Sequence, residues 1–90
     1  MTPEAIRYRR AGDALWRVVG DRTYVTRADR SDFELLRGIG SQAWKALRAP
    51  VSADDLAPML SFDAPVPNDP REAVAAMLND LEFRGLLERA

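Results

Sequence analysis

The residue types that most often carry out catalysis are missing from this chain. Among its 90 residues there is no histidine and no cysteine, so the usual general base, the commonest nitrogen ligand of metals and all thiolate chemistry are absent. A carboxylate-only metal site or a lysine and serine mechanism remains compatible with the composition, but Lys45 is the single lysine. We therefore expect no enzyme activity, no catalytic residue, no metal and no cofactor.

Two adjacent carboxylates, Asp54 and Asp55, have the side chains that could bind a metal or exchange a proton. Ser52 stands three residues before Asp55, which is the spacing of a capping box at the start of a helix. Adjacent helix positions do not face each other, and acidic residues in a first turn interact well with the helix dipole. The pair is thus predicted to begin a helix at about 52–60, which Pro58 shortens or bends.

Positive charge is concentrated in the first third of the sequence. Residues 1–31 hold seven arginines and four acidic residues, residues 32–90 hold six basic and ten acidic ones, and the net charge is −1. An arginine-rich surface suits an acidic partner, although a solvated sheet face is the simpler interpretation. The sequence contains neither a signal-peptide pattern nor an apolar run of the roughly 18 residues that a membrane span needs. We expect a cytoplasmic protein without membrane contact.

The predicted fold is organised around a segment at 32–47, where a strand leads into a short helix. Apolar and polar side chains alternate at its start, the pattern of a strand at about 32–37: Phe33, Glu34, Leu35 and Leu36. Two glycines follow, and Ser41 is predicted to cap a helix at about 41–48 with Trp44 as its core anchor. Because the chain turns helical here, this strand is predicted to be the last of its sheet, with a free edge that another chain can pair with.

Two earlier strands are predicted to form a hairpin. Residues 15–19 and 22–26 are separated by Gly20 and Asp21, the spacing of a two-residue loop. The resulting register gives one face that we predict to be the core face, with Trp16, Val18 and Val25, and a more exposed face with Leu15, Arg17, Arg22 and Tyr24. Alternation over residues 6–9 predicts one more edge strand in the same sheet, which would then occupy about 5–37.

A third helix is predicted at about 70–84, after a proline-containing loop at 61–68. Asp69 followed by Pro70 is a strong helix start, and Gly85 followed by Leu86 predicts a Schellman-type end with Leu86 against Leu81. The main apolar stripe is Val74, Met77, Leu78 and Leu81. Alanines flank the stripe, so another backbone could approach the helix closely, although alanine is also simply a good helix former.

The whole chain is predicted to be one α+β domain, with a three-stranded antiparallel sheet followed by three helices in a winged helix-turn-helix-like arrangement. Three segments also resemble PqqD-like proteins, in the order in which that family has them. Residues 36–47 are similar to its L-(N/D)-x-x-G-x-x-x-W-x-x-L pattern, residues 51–56 to its second-helix start, and residues 74–87 to its V-x-x-(F/M)-L-x-x-L-x-x-x-G-L-L pattern. Arg37 replaces the usual Asn or Asp, and Pro58 interrupts the second helix.

This resemblance, which extends over residues 14–88, implies a recognition element of ribosomally synthesised, modified peptides such as lasso peptides. It implies that the leader segment of a precursor peptide adds as a strand beside the third strand, against the third helix. A separate modifying enzyme or leader protease would then act on the precursor. The strand edge would be supplied by Phe33, Glu34, Leu35 and Leu36. The helical wall would be supplied by Arg71, Val74, Ala75 and Leu78, with Ala73 and Met77 as alternatives because the sequence leaves the peptide-facing flank open.

Two other classes of protein are compatible with the pattern. A winged-helix DNA-binding protein needs basic residues on a recognition helix, and the predicted helices carry few basic residues among several acidic ones, so we expect no nucleic-acid partner. A small interaction module, monomeric or homodimeric through the strand edge, is the other alternative.

Overall fold

The structure is a computed structural model that describes residues 6–62 and 68–90. The part of the predicted loop at 63–67 lies outside these residues, as does residue 5 of the predicted sheet. The described chain forms the following elements: β1 (Arg7–Arg10), β2 (Ala14–Val19), β3 (Arg22–Arg27), β4 (Glu34–Arg37), α1 (Ile39–Ala46), β5 (Val51–Ser52), α2 (Ala53–Leu56), α3 (Pro70–Phe83) and β6 (Leu87–Arg89). A short 3-10 turn, Ala57–Met59, follows α2. The predicted α+β class, with a three-stranded antiparallel sheet and three helices, is confirmed.

The main sheet has the strand order β2-β3-β4, and all its pairs are antiparallel. The hairpin register is the predicted one, with Val19 opposite Arg22 and Trp16 opposite Val25. β4 pairs with β3 so that Leu36 lies opposite Thr23 and Glu34 opposite Val25. The residues opposite each other share a face, so one face of the sheet carries Val25, Thr23 and Leu36 toward the helices.

The predicted core face is correct as a face, but two of its residues are not buried. Val25 is fully buried, whereas Trp16 is 44% exposed and Val18 is 45% exposed. Both belong to β2, which is an edge of the sheet, so neighbours cover them from one side only. Thr23 takes the buried place opposite Val18 instead.

A second sheet, absent from the sequence-based prediction, joins the two ends of the described chain. Its order is β5-β1-β6. β1 pairs antiparallel with β6, where Tyr8 lies opposite Arg89, and with β5, where Arg7 lies opposite Ser52. Placing residues 6–9 at the edge of the main sheet was therefore wrong. The short partner strands carry no local strand pattern, because their pairing depends on residues far away in sequence.

Helix α1 begins two residues earlier than predicted, and Ser41 is not its cap. Gly38 occupies the N-cap position with φ of 56° and ψ of −130°, a backbone conformation that only glycine adopts readily. Ser41 lies inside the helix, buried, with its hydroxyl 2.7 Å from that of Thr23. Trp44 is fully buried, as predicted for a core anchor.

The starts of α2 and α3 and the end of α3 agree with the predictions, whereas α1 ends at Ala46 and α2 at Leu56, before the predicted 48 and 60. The Asp55 backbone N–H donates to Ser52 Oγ at 3.2 Å, and the Arg71 N–H donates to Asp69 Oδ1 at 3.1 Å. Pro58 falls in the 3-10 turn that replaces further α-helix after α2. Gly85 has φ of 80°, and the Leu86 N–H donates to the Leu81 carbonyl at 3.0 Å, which is the bond that defines a Schellman end.

The core lies between the main sheet, the three helices and the second sheet. Its largest fully buried apolar side chains are Trp44, Leu56, Leu78, Leu86, Val25 and Val74. The molecule measures 41 × 34 × 19 Å along its principal axes. Since a sheet and a packed neighbour are separated by about 10 Å, this thinness fits a main sheet covered on one face alone.

Candidate peptide-binding site

The edge strand β4 pairs with β3 on one side and, among the described residues, with no strand on the other. In an antiparallel strand, alternate residues direct both their N–H and C=O groups away from the existing partner. β4 therefore presents unpaired backbone groups to any extended chain that lies beside it. Its four residues divide between the faces: Glu34 and Leu36 face the helices, while Leu35, opposite Tyr24, and Arg37, opposite Arg22, face outward.

One flank of α3 runs alongside this edge. Gly40, in the first turn of α1, lies between the strand and the helix: a Cβ placed on it would lie 3.8 Å from Leu36 Cβ of β4 and 3.9 Å from Met77 Sδ of α3. At the other end of β4, Arg84 Nη1 donates to Glu34 Oε2 at 2.9 Å. Helical spacing places four residues on this flank: Ala73, Met77, Asp80 and Arg84. We call the strip between this flank and β4 the β4–α3 groove.

The opposite flank of α3 faces the second sheet. Ala75 lines a shallow cavity together with Ile6, Tyr8 and Ser52. Ile6 precedes β1, Tyr8 belongs to β1 and Ser52 belongs to β5. Glu82, seven residues after Ala75, accepts a hydrogen bond from Arg89 Nε of β6 at 2.8 Å. Arg71 shares this side by helical spacing. This flank is thus directed away from β4.

The predicted wall residues therefore divide into three groups. Val74 and Leu78 are fully buried beneath the helix, so they support the groove from below without presenting a surface. Arg71 and Ala75 lie on the far flank. The alternatives that the sequence left open, Ala73 and Met77, lie on the β4 side.

The residues that the sequence-based interpretation omitted are Asp80 and Arg84. Their signal was present in the sequence, because positions 73, 77, 80 and 84 form one line along a helix. That line could be recognised as the β4 side only from the contacts of two of its residues, Met77 with Gly40 and Arg84 with Glu34. No local pattern specifies which side of a helix faces a given strand.

An ionic cluster closes one end of the groove. Arg84 contacts Asp80 on its own helix, with Nε 3.1 Å from Oδ2, and Glu34 across the groove. The negative charge of Asp80 and, to a smaller extent, that of Glu34 raise the pKa of Arg84 above its usual value. Arg84 therefore stays positively charged. Arg30 Nη1 also donates to the Arg84 carbonyl at 2.9 Å. The groove consequently has a charged end at Glu34 and an apolar end at Leu36 and Met77.

The described residues include no cluster of three or more His, Cys, Asp or Glu side chains that could hold a metal ion. Asp54 and Asp55 are both exposed in the first turn of α2, where they serve the helix start. Over the part of the chain that the structure describes, no helix has both the length and the apolar character to cross a membrane. Among the described residues, the β4–α3 groove combines an unpaired strand edge with a helix flank, and the chemistry it offers is backbone pairing with flanking side chains.

Comparison of the chain with protein-family models, with curated proteins and with solved structures finds no match.

Proposed function

We propose that this protein binds the leader segment of a ribosomally synthesised precursor peptide by strand addition in the β4–α3 groove. The protein then holds the precursor for a separately encoded modifying enzyme or leader protease. In this role it is a winged-helix-like recognition element of the PqqD type and performs no catalysis itself. The observation that carries the proposal is the free edge of β4 lying next to a flank of α3 that has small and apolar side chains.

The geometry supports an extended peptide as the ligand. A strand added beside β4 gains backbone hydrogen bonds whatever its sequence, and its alternate side chains point to opposite faces. Those on the helix side would reach Ala73 and Met77, where the small alanine leaves room for an apolar residue. Those on the outer side would pass Phe33 and Leu35. The protein would therefore contact the side chains of the peptide in two rows, one on each side of the sheet plane.

The chemistry of α3 opposes the DNA-binding alternative. The arginine of α3 and the one that follows its last residue both contact carboxylates, Arg71 with Asp69 at 3.6 Å and Arg84 with Asp80 and Glu34. DNA binding draws its affinity mainly from arginine and lysine contacts to phosphates. A helix whose cations already have anionic partners offers little to a duplex.

The proposal is tested by NMR titration of the isotope-labelled protein with the leader segment of a precursor encoded nearby. We expect shift changes at residues 33–37 and on the Ala73–Met77 flank. A mixed-sequence DNA duplex serves as the control ligand. Shifts caused by DNA alone, declining as salt rises, would overturn the proposal.

The flank assignment has a matched pair of variants. Ala73→Arg places a long side chain in the groove, while Ala75→Arg makes the same change on the far flank. We expect Ala73→Arg to weaken leader binding at least about tenfold, equivalent to about 1.4 kcal/mol, and Ala75→Arg to leave it near the wild-type value. Strand addition is tested separately by methylating the backbone nitrogens of the leader one at a time. We expect methylation to abolish binding at every second residue, where the N–H donates to β4, and to have little effect at the residues between. Equal effects of both arginine variants, or no alternation, would contradict the site.

A further inference from the structure

The face of the main sheet that points away from the helices is largely exposed. Here it is called the outer face. Of its strand residues Thr26 is buried, with its hydroxyl donating to the Asp32 carbonyl at 2.7 Å. The apolar members of the outer face include Leu15, 56% exposed, Val19, 51% exposed, and Phe33, 60% exposed. Tyr24 and Leu35 lie between them, opposite each other on β3 and β4. Groups of exposed apolar side chains on soluble proteins often mark binding sites.

The same face is positively charged. Arg17 lies opposite Tyr24, and Arg22 lies opposite Arg37, so all three arginines lie on the outer face. Glu34, the acidic residue of the three strands, points to the helices. Within the described residues, none of the three arginines has a carboxylate within 4.0 Å. Like charges directly opposite on a sheet destabilise it, so an anionic partner would relieve the repulsion between Arg22 and Arg37.

The register arranges apolar and charged residues at opposite ends of the outer face. The row of Leu15 and Thr26 is uncharged, whereas the row of Val19, Arg22 and Arg37 carries two positive charges. A shallow cavity on this face is lined by Arg17, Val19, Tyr24 and Phe33. A complementary partner therefore has apolar side chains that enter this cavity and carboxylates that reach the arginines.

The charge pattern distinguishes between the kinds of partner that could cover the outer face. A second copy of the chain would bring three arginines against three arginines, which is repulsive. A single-stranded nucleic acid would use aromatic platforms, but aliphatic side chains outnumber Tyr24 and Phe33 on this face. An acidic protein segment satisfies both the apolar residues and the arginines.

The dimensions of the face fit one α-helix. Three strands spaced about 4.8 Å apart make a surface about 10 Å between its outer strands, and six residues of β2 extend about 20 Å. A helix is about 10–12 Å across and rises about 1.5 Å per residue, so about 13 helical residues cover the face. We propose that the outer face docks an amphipathic helix of a partner protein, with an apolar stripe flanked by acidic side chains. This inference does not depend on leader binding: a leader strand pairs with the backbone of β4 and packs against α3, whereas the docked helix lies across β2 and β3. Phe33 and Leu35 border both sites.

The test uses a stapled helical peptide of about 14 residues with a leucine stripe flanked by glutamates, and a matched peptide with lysines in place of the glutamates. In NMR titrations with the wild-type protein, we expect the acidic peptide to shift the amides of Leu15, Arg17 and Tyr24, with affinity falling as salt rises. The lysine peptide should not bind. Arg22→Glu with Arg37→Glu should weaken the acidic peptide at least about tenfold and gain binding of the lysine peptide, because the charge complementarity is reversed.

The matched control is Arg7→Glu with Arg48→Glu, which makes the same change of charge at exposed positions outside the outer face and should leave binding unchanged. All variants are checked for native spectra first, and leader binding in the groove is measured in parallel so that the two sites are judged separately. Four results would overturn the inference: no shifts on the outer face, equal binding of both peptides, preferential binding of a single-stranded oligonucleotide there, or a dimer that Val19→Glu dissociates.

Discussion

At the scale of single residues, the sequence predicted roles well where a residue acts on its neighbours and poorly where its partner is distant. Ser52 and Asp69 cap their helices as expected, because capping is decided within three residues. Ser41 has the same hydroxyl, yet it is buried and bonded to Thr23, 18 positions away. The conformation of Gly38 starts the helix before Ser41 and so moves it into the core. Neither fact has a signal in the local pattern.

The Thr23 and Ser41 pair gives a direct prediction about stability. Thr23→Val or Ser41→Ala alone leaves the other hydroxyl buried without its partner, so each should lower the free energy of unfolding by about 1–3 kcal/mol. The double variant replaces both with apolar groups and should cost clearly less than the sum. Urea denaturation followed by circular dichroism measures this cycle. Additive losses would mean that the 2.7 Å contact does not couple the two side chains.

At the scale of elements, the bounds of β2, β3 and α3 were predicted to within about two residues because each has a clear period and clear end signals. The side of α3 that faces β4 was not predictable. The apolar stripe of α3 predicts which residues are buried, but both flanks of the helix carry alanines and charged residues of similar character. Only the contacts of Met77 and Arg84 with the chain around β4 decide between them.

The end of α3 can be tested through its glycine. Gly85 has φ of 80°, and a Cβ there would lie 2.8 Å from Arg30 Nη2. Gly85→Ala should therefore destabilise the protein by about 1–2 kcal/mol, the cost of a left-handed conformation for an L-residue. Gly12→Ala is the control, since a Cβ at Gly12 meets nothing within 4 Å, and it should change the stability by less than about 0.5 kcal/mol. Thermal and urea unfolding compare the two, and equal losses would refute the explanation.

At the scale of the whole molecule, Arg10 links the two sheets and α1. From β1, its Nε donates to the Trp44 carbonyl at 3.1 Å, which satisfies a carbonyl near the end of α1. Its guanidinium carbon lies 4.5 Å from the ring centroid of Trp16 and 5.5 Å from that of Trp44. The two indoles themselves pack edge to face, with centroids 5.7 Å apart. This arrangement also explains the partial burial of Trp16 on an edge strand.

We predict that Arg10→Ala lowers the free energy of unfolding by about 1.5–3 kcal/mol, because a charged hydrogen bond and its stacking are lost. Arg10→Lys should recover only part of the loss, since an ammonium lacks the planar fork of arginine. Arg7→Ala, on the same strand but with an exposed side chain, is the control and should have little effect. Denaturation followed by tryptophan fluorescence reports both the stability and the surroundings of the two tryptophans, Trp16 and Trp44. A similar loss in the Arg7 and Arg10 variants would contradict this role.

The joining of β1 to β6 also has a consequence for folding kinetics. Arg9 and Glu88, which contact each other across this pair, are 79 positions apart in sequence, whereas in the main sheet β2 pairs with β3 and β3 with β4, each the next strand along the chain. Closing a long loop costs more entropy than closing a hairpin, so we expect the main sheet to form first and the second sheet to be absent from the folding transition state. Substitutions in β1 and β6 should then speed unfolding while leaving the folding rate nearly unchanged. The free edge of β4 would form before β1 pairs with β6.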